Sequence, residues 1–385
     1  MAAAVALAER GVAATVFESG PVPGGRARRV VSQGNELDNG QHIFVGAYTQ
    51  LFALMRTVGV PDQALLRMPL EIRYANGFAV RGGLAGLLLA RGVPISEKIH
   101  TLSFVASLRR SNFRVEPDIT VKDLLDRHGQ HGKMRHYLWA PLCVSALNTP
   151  LDQASANAFL AALRDTIGSA GDASDLVLPR VDLSRLFPEP AAEFVRARGG
   201  EVRCGTPVRE LVSLKSEFEK IIVAVGPHQL KTLLPEMPDG FTYQPIYTCY
   251  LQYPDDTRLE FPMLGMAEGL VQWVFDRGAL LGEKGRLACV ISAQGDHQQM
   301  TQEELAEICH RELARQRLVH GKPLWTRVIA EKRATITCAP GLKRPAVRTA
   351  IPGVFLAGDY TDPEYPPTLE AAVRSGVRAA GLAAS

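Results

Sequence analysis

The first thirty residues constrain the fold more than any other stretch. Met1–Glu9 is an alanine-rich helical run, closed by Gly11 at a helix C-cap position. Val12–Phe17 follows as a β-branched, apolar strand with Glu18 at its end, and then come Gly24-Gly25-Arg26 and Arg28-Arg29. This order reads as the second half of a dinucleotide-binding βαβ unit, in which an acidic residue at a strand end grips the ribose hydroxyls of an adenosine. In a complete unit a strand and a G-x-G-x-x-G turn come first, and the pyrophosphate rests on the helix N-terminus. Here the helix begins at Met1, so a start codon chosen inside a longer reading frame is expected, with Met1 an internal methionine. Each piece also has an ordinary reading. Glu18 suits a solvent-facing strand end, Gly24-Gly25 a plain turn, and the arginines either a phosphate or a solvated loop.

The chain's 385 residues suit two domains rather than one core. A net charge of +3 is too small to argue for nucleic acid. The six cysteines (Cys143, Cys204, Cys249, Cys289, Cys309, Cys338) lie far apart with no C-x-x-C, which excludes a zinc-type pattern and points to a reducing cytoplasm. No apolar run approaches the roughly 20 residues of a membrane span. Leu84–Ala90 is interrupted by glycine and closed by Arg91, which suits a core or interfacial helix.

Along the chain, Gly34–His42 is a polar, glycine-flanked loop, and Tyr48–Val58 reads as a helix capped by Gly59. Alternation over 69–80 predicts a hairpin turning at Asn76-Gly77. Apolar spacing of three to four predicts helices over Ser96–Ser111, Val121–His128, His136–Ala146, Gln153–Thr166, Ser184–Arg198 and Thr301–Gln316, with a break at Gly168–Ser174. Strands are expected at Glu201–Cys204, Val208–Leu211 and Lys220–Val225, the last apolar on both faces as in a parallel sheet. Further strands are expected at Tyr247–Tyr253, Leu270–Phe275, Leu287–Ser292, Thr326–Arg333 and Gly353–Ala357. Nucleotide-type pieces therefore stand in three places, with mixed material between them. The expected fold is α/β: a Rossmann-like dinucleotide domain from 1–60, 193–235 and 345–385, interleaved with a mixed α+β substrate domain from 61–192 and 236–344.

The closing segment carries the most specific chemistry. A strand ends in Ala357-Gly358-Asp359, a proline-rich loop reaches Pro367, and a helix begins Thr368-Leu369-Glu370 and runs through Gly376. That arrangement suits a flavin. A carboxylate accepts from ribitol hydroxyls, and the helix N-terminus beginning at Leu369 faces the ring edge where reduced flavin carries negative charge. An ordinary amphipathic helix after a buried strand has the same outline.

The run GGRARR, then LDNGQHIFVGAY, the later SDLVLPRVDLSRLFPEPAAEF, EKRAT at 331–335 and the closing LAGDYTDPEYPPTLEAAVRSG resemble the squalene-associated FAD-dependent desaturases. These are the hydroxysqualene dehydroxylases of bacterial hopanoid biosynthesis. The resemblance spans Met1 to about Ala380. It implies a glutathione-reductase-type FAD-binding domain, lacking its first strand and glycine turn here, joined to an amine-oxidase-like substrate domain. It further implies FAD as cofactor, a polyisoprenoid substrate, and reductive loss of an allylic hydroxyl to give squalene. Carried over by motif, Glu18 would bind the adenosine ribose and Gly24, Gly25 and Arg26 would lie near the pyrophosphate. Val208 would meet adenine, and Gly358 and Asp359 would lie near the ribitol. Two departures stand out: the absent glycine turn, and Ala371 where the family usually has glycine. The absent strand would lie between the Ala14–Phe17 and Val354–Ala357 strands. Candidate proton donors are His42, Asp38 and Tyr360, whose loops should face the flavin; a loop histidine satisfied by backbone is the plain alternative for His42. Association with prenyl synthases of the squalene pathway and peripheral contact with the inner membrane face are further expectations. The rival readings are a carotenoid-type desaturase or isomerase, and a non-catalytic remnant unable to hold FAD.

Overall fold

A computed structural model describes residues 1–166, 171–237, 240–361 and 365–385. The opening helix, Ala2–Glu9, buries Ala4, Val5, Ala6 and Ala8, and packs along the closing helix Leu369–Ala384. Small side chains permit the approach: a Cβ on Gly376 would stand 3.1 Å from the backbone of Ala3. Thr15–Phe17 pairs in parallel with Glu201–Arg203, and Ile221–Val223 pairs in parallel with Val354–Leu356.

These two pairs are separate sheets. Thr15–Phe17 and Ile221–Val223 face the same large cavity, while Val354 and Leu356 are held on their second side by the Ile351 and Val347 carbonyls. The strand facing Thr15–Phe17 across the gap is therefore Ile221–Val223, and not Val354–Ala357 as the sequence reading had it. The cavity also explains why Ile221 and Ile222 are only half-buried despite being apolar on both faces.

The second body is built on a five-stranded antiparallel sheet in the order Met263–Gly265, Trp273–Asp276, Arg286–Ser292, Tyr243–Gln252, Trp325–Ile336. Its alternation sorts side chains cleanly. Tyr250, Trp273, Phe275, Ala288 and Val290 join the core under the helices of residues 95–166. Cys249, Leu251, Val274, Leu287 and Cys289 join the core under the helix Gln302–Arg315 on the other face. The expected hairpin forms with Ile72 opposite Val80, and Gly77 supplies the positive φ of its turn.

Several expectations change. Gly34–His42 is not loop throughout, since Asn35–Asp38 pairs antiparallel with Arg29–Ser32. Val208–Leu211 is not a strand, and Pro207 just before it removes a ladder donor. The predicted helix 184–198 is two helices, Leu183–Leu186 and Pro188–Arg196, because Phe187 before proline leaves the helical region (φ −148°). The predicted helix 136–146 starts as a wider turn over Arg135–Trp139 and becomes regular at Ala140–Leu147, with Pro141 in its first turn. The expected boundary at 193 also falls inside Pro188–Arg196. That helix buries Ala191 and Val195 in the same core as Val5, Leu51 and Val177, so the nucleotide-side body reaches back through this segment. The expected break at Gly168–Ser174 lies partly outside the described residues.

Candidate active site

One cavity of about 1750 Å³ runs between the two bodies. Its wall contains Glu18, Gly24, Gly25, Arg26, His42, Val208, Gly358, Asp359, Tyr360 and Leu369, ten of the eleven residues singled out by sequence; Asp38 stands behind the wall. The volume exceeds the roughly 300–1,000 Å³ of an ordinary single-ligand pocket. On the substrate side the lining is apolar, with Leu142, Phe159, Met263, Trp273 and Phe275. These positions were only legible as generic core, because a tunnel wall and a core face share the same alternation.

At the polar end the site residues hold one another. Arg26 Nη2 lies 2.8 Å from Asp359 Oδ2, and its other terminal nitrogen donates to the Ala334 carbonyl. The residue expected beside a pyrophosphate is thus paired with the one expected beside the ribitol. Neighbouring Asp359 raises the Arg26 guanidinium above its ordinary pKa. Asn39 Nδ2 ties this turn to the Arg26 carbonyl and to Glu331 Oε2, at 3.0 and 3.1 Å. The EKRAT stretch therefore acts as a floor for the glycine turn. Gly24 requires its residue type: at φ +122° a Cβ would meet the Ala27 carbonyl at 2.8 Å and Pro188 at 2.9 Å. Glu18 turns back on the chain, accepting from Gly20 N at 2.7 Å.

Asp38 is not at the cavity surface. Its carboxylate accepts from Leu183 N at 2.8 Å and pairs with Arg277 Nη1 at 2.9 Å, both side chains almost wholly buried. Arg277 also grips Glu283 through two nitrogens. Tyr250 Oη donates to the Asp38 carbonyl, and Gln41 Nε2 donates to Tyr250 Oη. Burial raises the Asp38 pKa, against the opposing pull of Arg277. With both oxygens engaged, Asp38 positions the loop 38–42 and is not placed to protonate a substrate. Arg277 was missed by sequence, since nothing local marks a side chain that pairs across 239 positions.

His42 does reach the cavity. Burial lowers its pKa from 6.5 to about 4, with Arg26 adding to the effect against a contact to the Gly40 carbonyl. A ring that is neutral at pH 7 cannot serve as an imidazolium acid there. Tyr360 is buried with its hydroxyl unpaired in the cavity wall, and burial raises its pKa above the ordinary 10. Its phenol keeps its proton throughout the physiological range.

The whole of this architecture matches one family: residues 1–384 fit the flavin containing amine oxidoreductase family. The chain belongs to that family. Relatives of similar length include the hydroxysqualene dehydroxylases of Rhodopseudomonas palustris, 28% identical over 99% of this chain and 95% of that one, and of Sinorhizobium fredii, 26% identical over 100% and 96%. Among solved structures, an oxidoreductase from Methanosarcina mazei superposes with a TM-score of 0.73 at 15% identity, over 99% of this chain and 97% of that one. That likeness concerns the fold.

The walls of this oxidoreductase fit a flavin at Tyr360 and at the closing helix. Tyr360 leaves a buried hydroxyl without a protein partner. Gly358 lets the Tyr360 ring pack directly on the backbone, since a Cβ there would stand 2.3 Å from that ring. The closing helix begins at the wall as well, with Thr368 Oγ1 capping the Ala371 amide at 3.3 Å and the positive dipole end at Leu369. The loop between them is described only in part, since 362–364 lie outside the described residues.

Proposed function

We propose that this flavoprotein is an FAD-dependent hydroxysqualene dehydroxylase, removing an allylic hydroxyl from hydroxysqualene to give squalene. The observation that carries the reading is the single cavity of about 1750 Å³ in which Glu18, Arg26 and Asp359 share a wall with Leu142, Phe159, Met263 and Trp273. A cofactor with charged and hydroxylated ends and a thirty-carbon hydrocarbon both find matching surface there. The relatives named hydroxysqualene dehydroxylase support the choice of substrate.

When bound, reduced FAD supplies the hydride that replaces the departing hydroxyl. The protein's own groups provide the surroundings. The Arg26 turn and Glu18 would hold the phosphate and ribose portions. The apolar wall excludes water, which would otherwise capture an allylic cation as the C–O bond breaks. The hydroxyl leaves as water and so needs a proton. The wall residues that can take part in that transfer are Tyr360, whose phenol keeps its proton, and His42, whose neutral ring can accept one.

The test is product analysis. Flavin-loaded protein, hydroxysqualene and a reductant are expected to give squalene. Dehydrosqualene in its place would support a carotenoid-type desaturation and overturn the reductive reading.

A further inference from the structure

Eight large hydrophobic side chains are exposed among the described residues, and four of them fall within twelve positions: Leu88 (48%), Leu89 (74%), Ile95 (75%) and Ile99 (58%). Leu88 and Leu89 end the short helix Gly83–Leu89, whose Leu87 is buried. Ile95 and Ile99 stand one turn apart at the start of the helix Ile95–Arg110, which turns Thr101, Phe104, Val105 and Leu108 inward. Two lysines lock these pieces together. Lys98 Nζ donates to the Leu88 carbonyl and Lys133 Nζ to the Gly92 carbonyl, each at 2.7 Å.

The charge around this apolar cluster is one-sided. Arg91 and Lys98 stand within the cluster and Lys133 is tied to Gly92 beside it, against Glu97 alone. Glu97 is further engaged, accepting from Met134 N at 3.0 Å. Arg91 is exposed. Aliphatic side chains flanked by cations, without an exposed aromatic anchor among them, suit an anionic lipid surface better than the aromatic-rich core of a protein interface. The position matters too. Gly82, which precedes the Gly83–Leu89 helix, donates its N–H to the Leu70 carbonyl at 2.7 Å, and Leu70 lines the large cavity.

We propose that Leu88, Leu89, Ile95 and Ile99 form a wedge that docks this protein on an anionic bilayer, with Arg91, Lys98 and Lys133 at headgroup level. That Leu70 then brings the cavity to the lipid, so that an apolar substrate passes between them, rests on the function proposed above. The docking itself does not.

The experiment is co-sedimentation of the full chain with vesicles of phosphatidylcholine alone and of phosphatidylcholine containing phosphatidylglycerol. Binding is expected to the anionic vesicles, to weaken as salt is raised, and to fall by at least about tenfold in Ile95→Ser/Ile99→Ser. Val212→Ser/Leu324→Ser removes exposed apolar surface elsewhere and should leave binding unchanged. Both pairs are exposed, so melting temperatures should match the parent protein. No binding to either vesicle, equal loss in both double variants, or undiminished binding of Ile95→Ser/Ile99→Ser overturns the proposal. Equal binding to neutral and anionic vesicles overturns the role given to these cations. Sedimentation equilibrium without lipid adds one further arm: self-association abolished by Ile95→Ser/Ile99→Ser, with no vesicle binding, would make the cluster a contact between copies. Turnover of hydroxysqualene in detergent micelles needs no bilayer, so a failure here is distinguishable from a failure of the proposed reaction.

Discussion

His42 shows how one residue's environment decides its chemistry. Its pKa is depressed from 6.5 to about 4 by burial. The native state therefore binds fewer protons than the unfolded chain wherever pH lies between those values. Its contribution to stability is full above about pH 6.5 and is lost as pH falls through about 4, amounting to about 2–3 kcal/mol between pH 7 and pH 4. Urea unfolding at the two pH values is expected to show a loss of stability that is smaller by about this amount in His42→Gln. An unchanged pH dependence would mean that the ring is solvated and free to titrate. At this scale the sequence was partly legible. Glycines with special φ and acidic residues at strand ends carry local signatures, so Glu18, Gly24 and Asp359 could be singled out. The pairing of Arg26 with Asp359 could not, because it depends on two distant turns meeting.

Elements are held in place here by a few buried polar ties. The loop 38–42 connects to the five-stranded sheet through Asp38, Arg277, Glu283 and Tyr250. Arg277→Ala would leave the Asp38 carboxylate buried without its cation, at an expected cost of about 3–5 kcal/mol in denaturant unfolding. Asp38→Asn/Arg277→Met should recover part of that loss, since no unpaired charge remains. A single-variant loss below about 1 kcal/mol would show that the network is not what pins the loop. Most elements were legible from periodicity. Gln302–Arg315, Arg286–Ser292 and Trp325–Ile336 stand close to their expected limits because their apolar faces pack on an extended core, while Tyr243–Gln252 begins four residues earlier than expected and Met263–Gly265 was not expected. Three failures share a cause. Pro188 splits one predicted helix, Pro141 sits where another begins irregularly, and Pro207 precedes the strand that does not form. In each case proline's limits on its own backbone or on the residue before it outweigh the apolar pattern.

At the scale of the whole molecule, two bodies made of interleaved segments enclose one cavity. The expectation of interleaved domains rests on nucleotide-type motifs at the beginning, near 195–230 and at the end. The way strands meet the cavity was not legible. Side-chain pattern does not reveal that Ile221–Val223, rather than Val354–Leu356, borders it, because both strands are equally apolar and only their hydrogen-bond partners differ. The account's central claim is that this one cavity brings reduced flavin and a polyisoprenoid alcohol together. The most direct measurement is an anaerobic single turnover, in which flavin-loaded protein is reduced, freed of excess reductant and mixed with hydroxysqualene. The account predicts that flavin absorbance returns and that one squalene appears for each flavin reoxidised. Flavin that stays reduced while hydroxysqualene is recovered intact would contradict it.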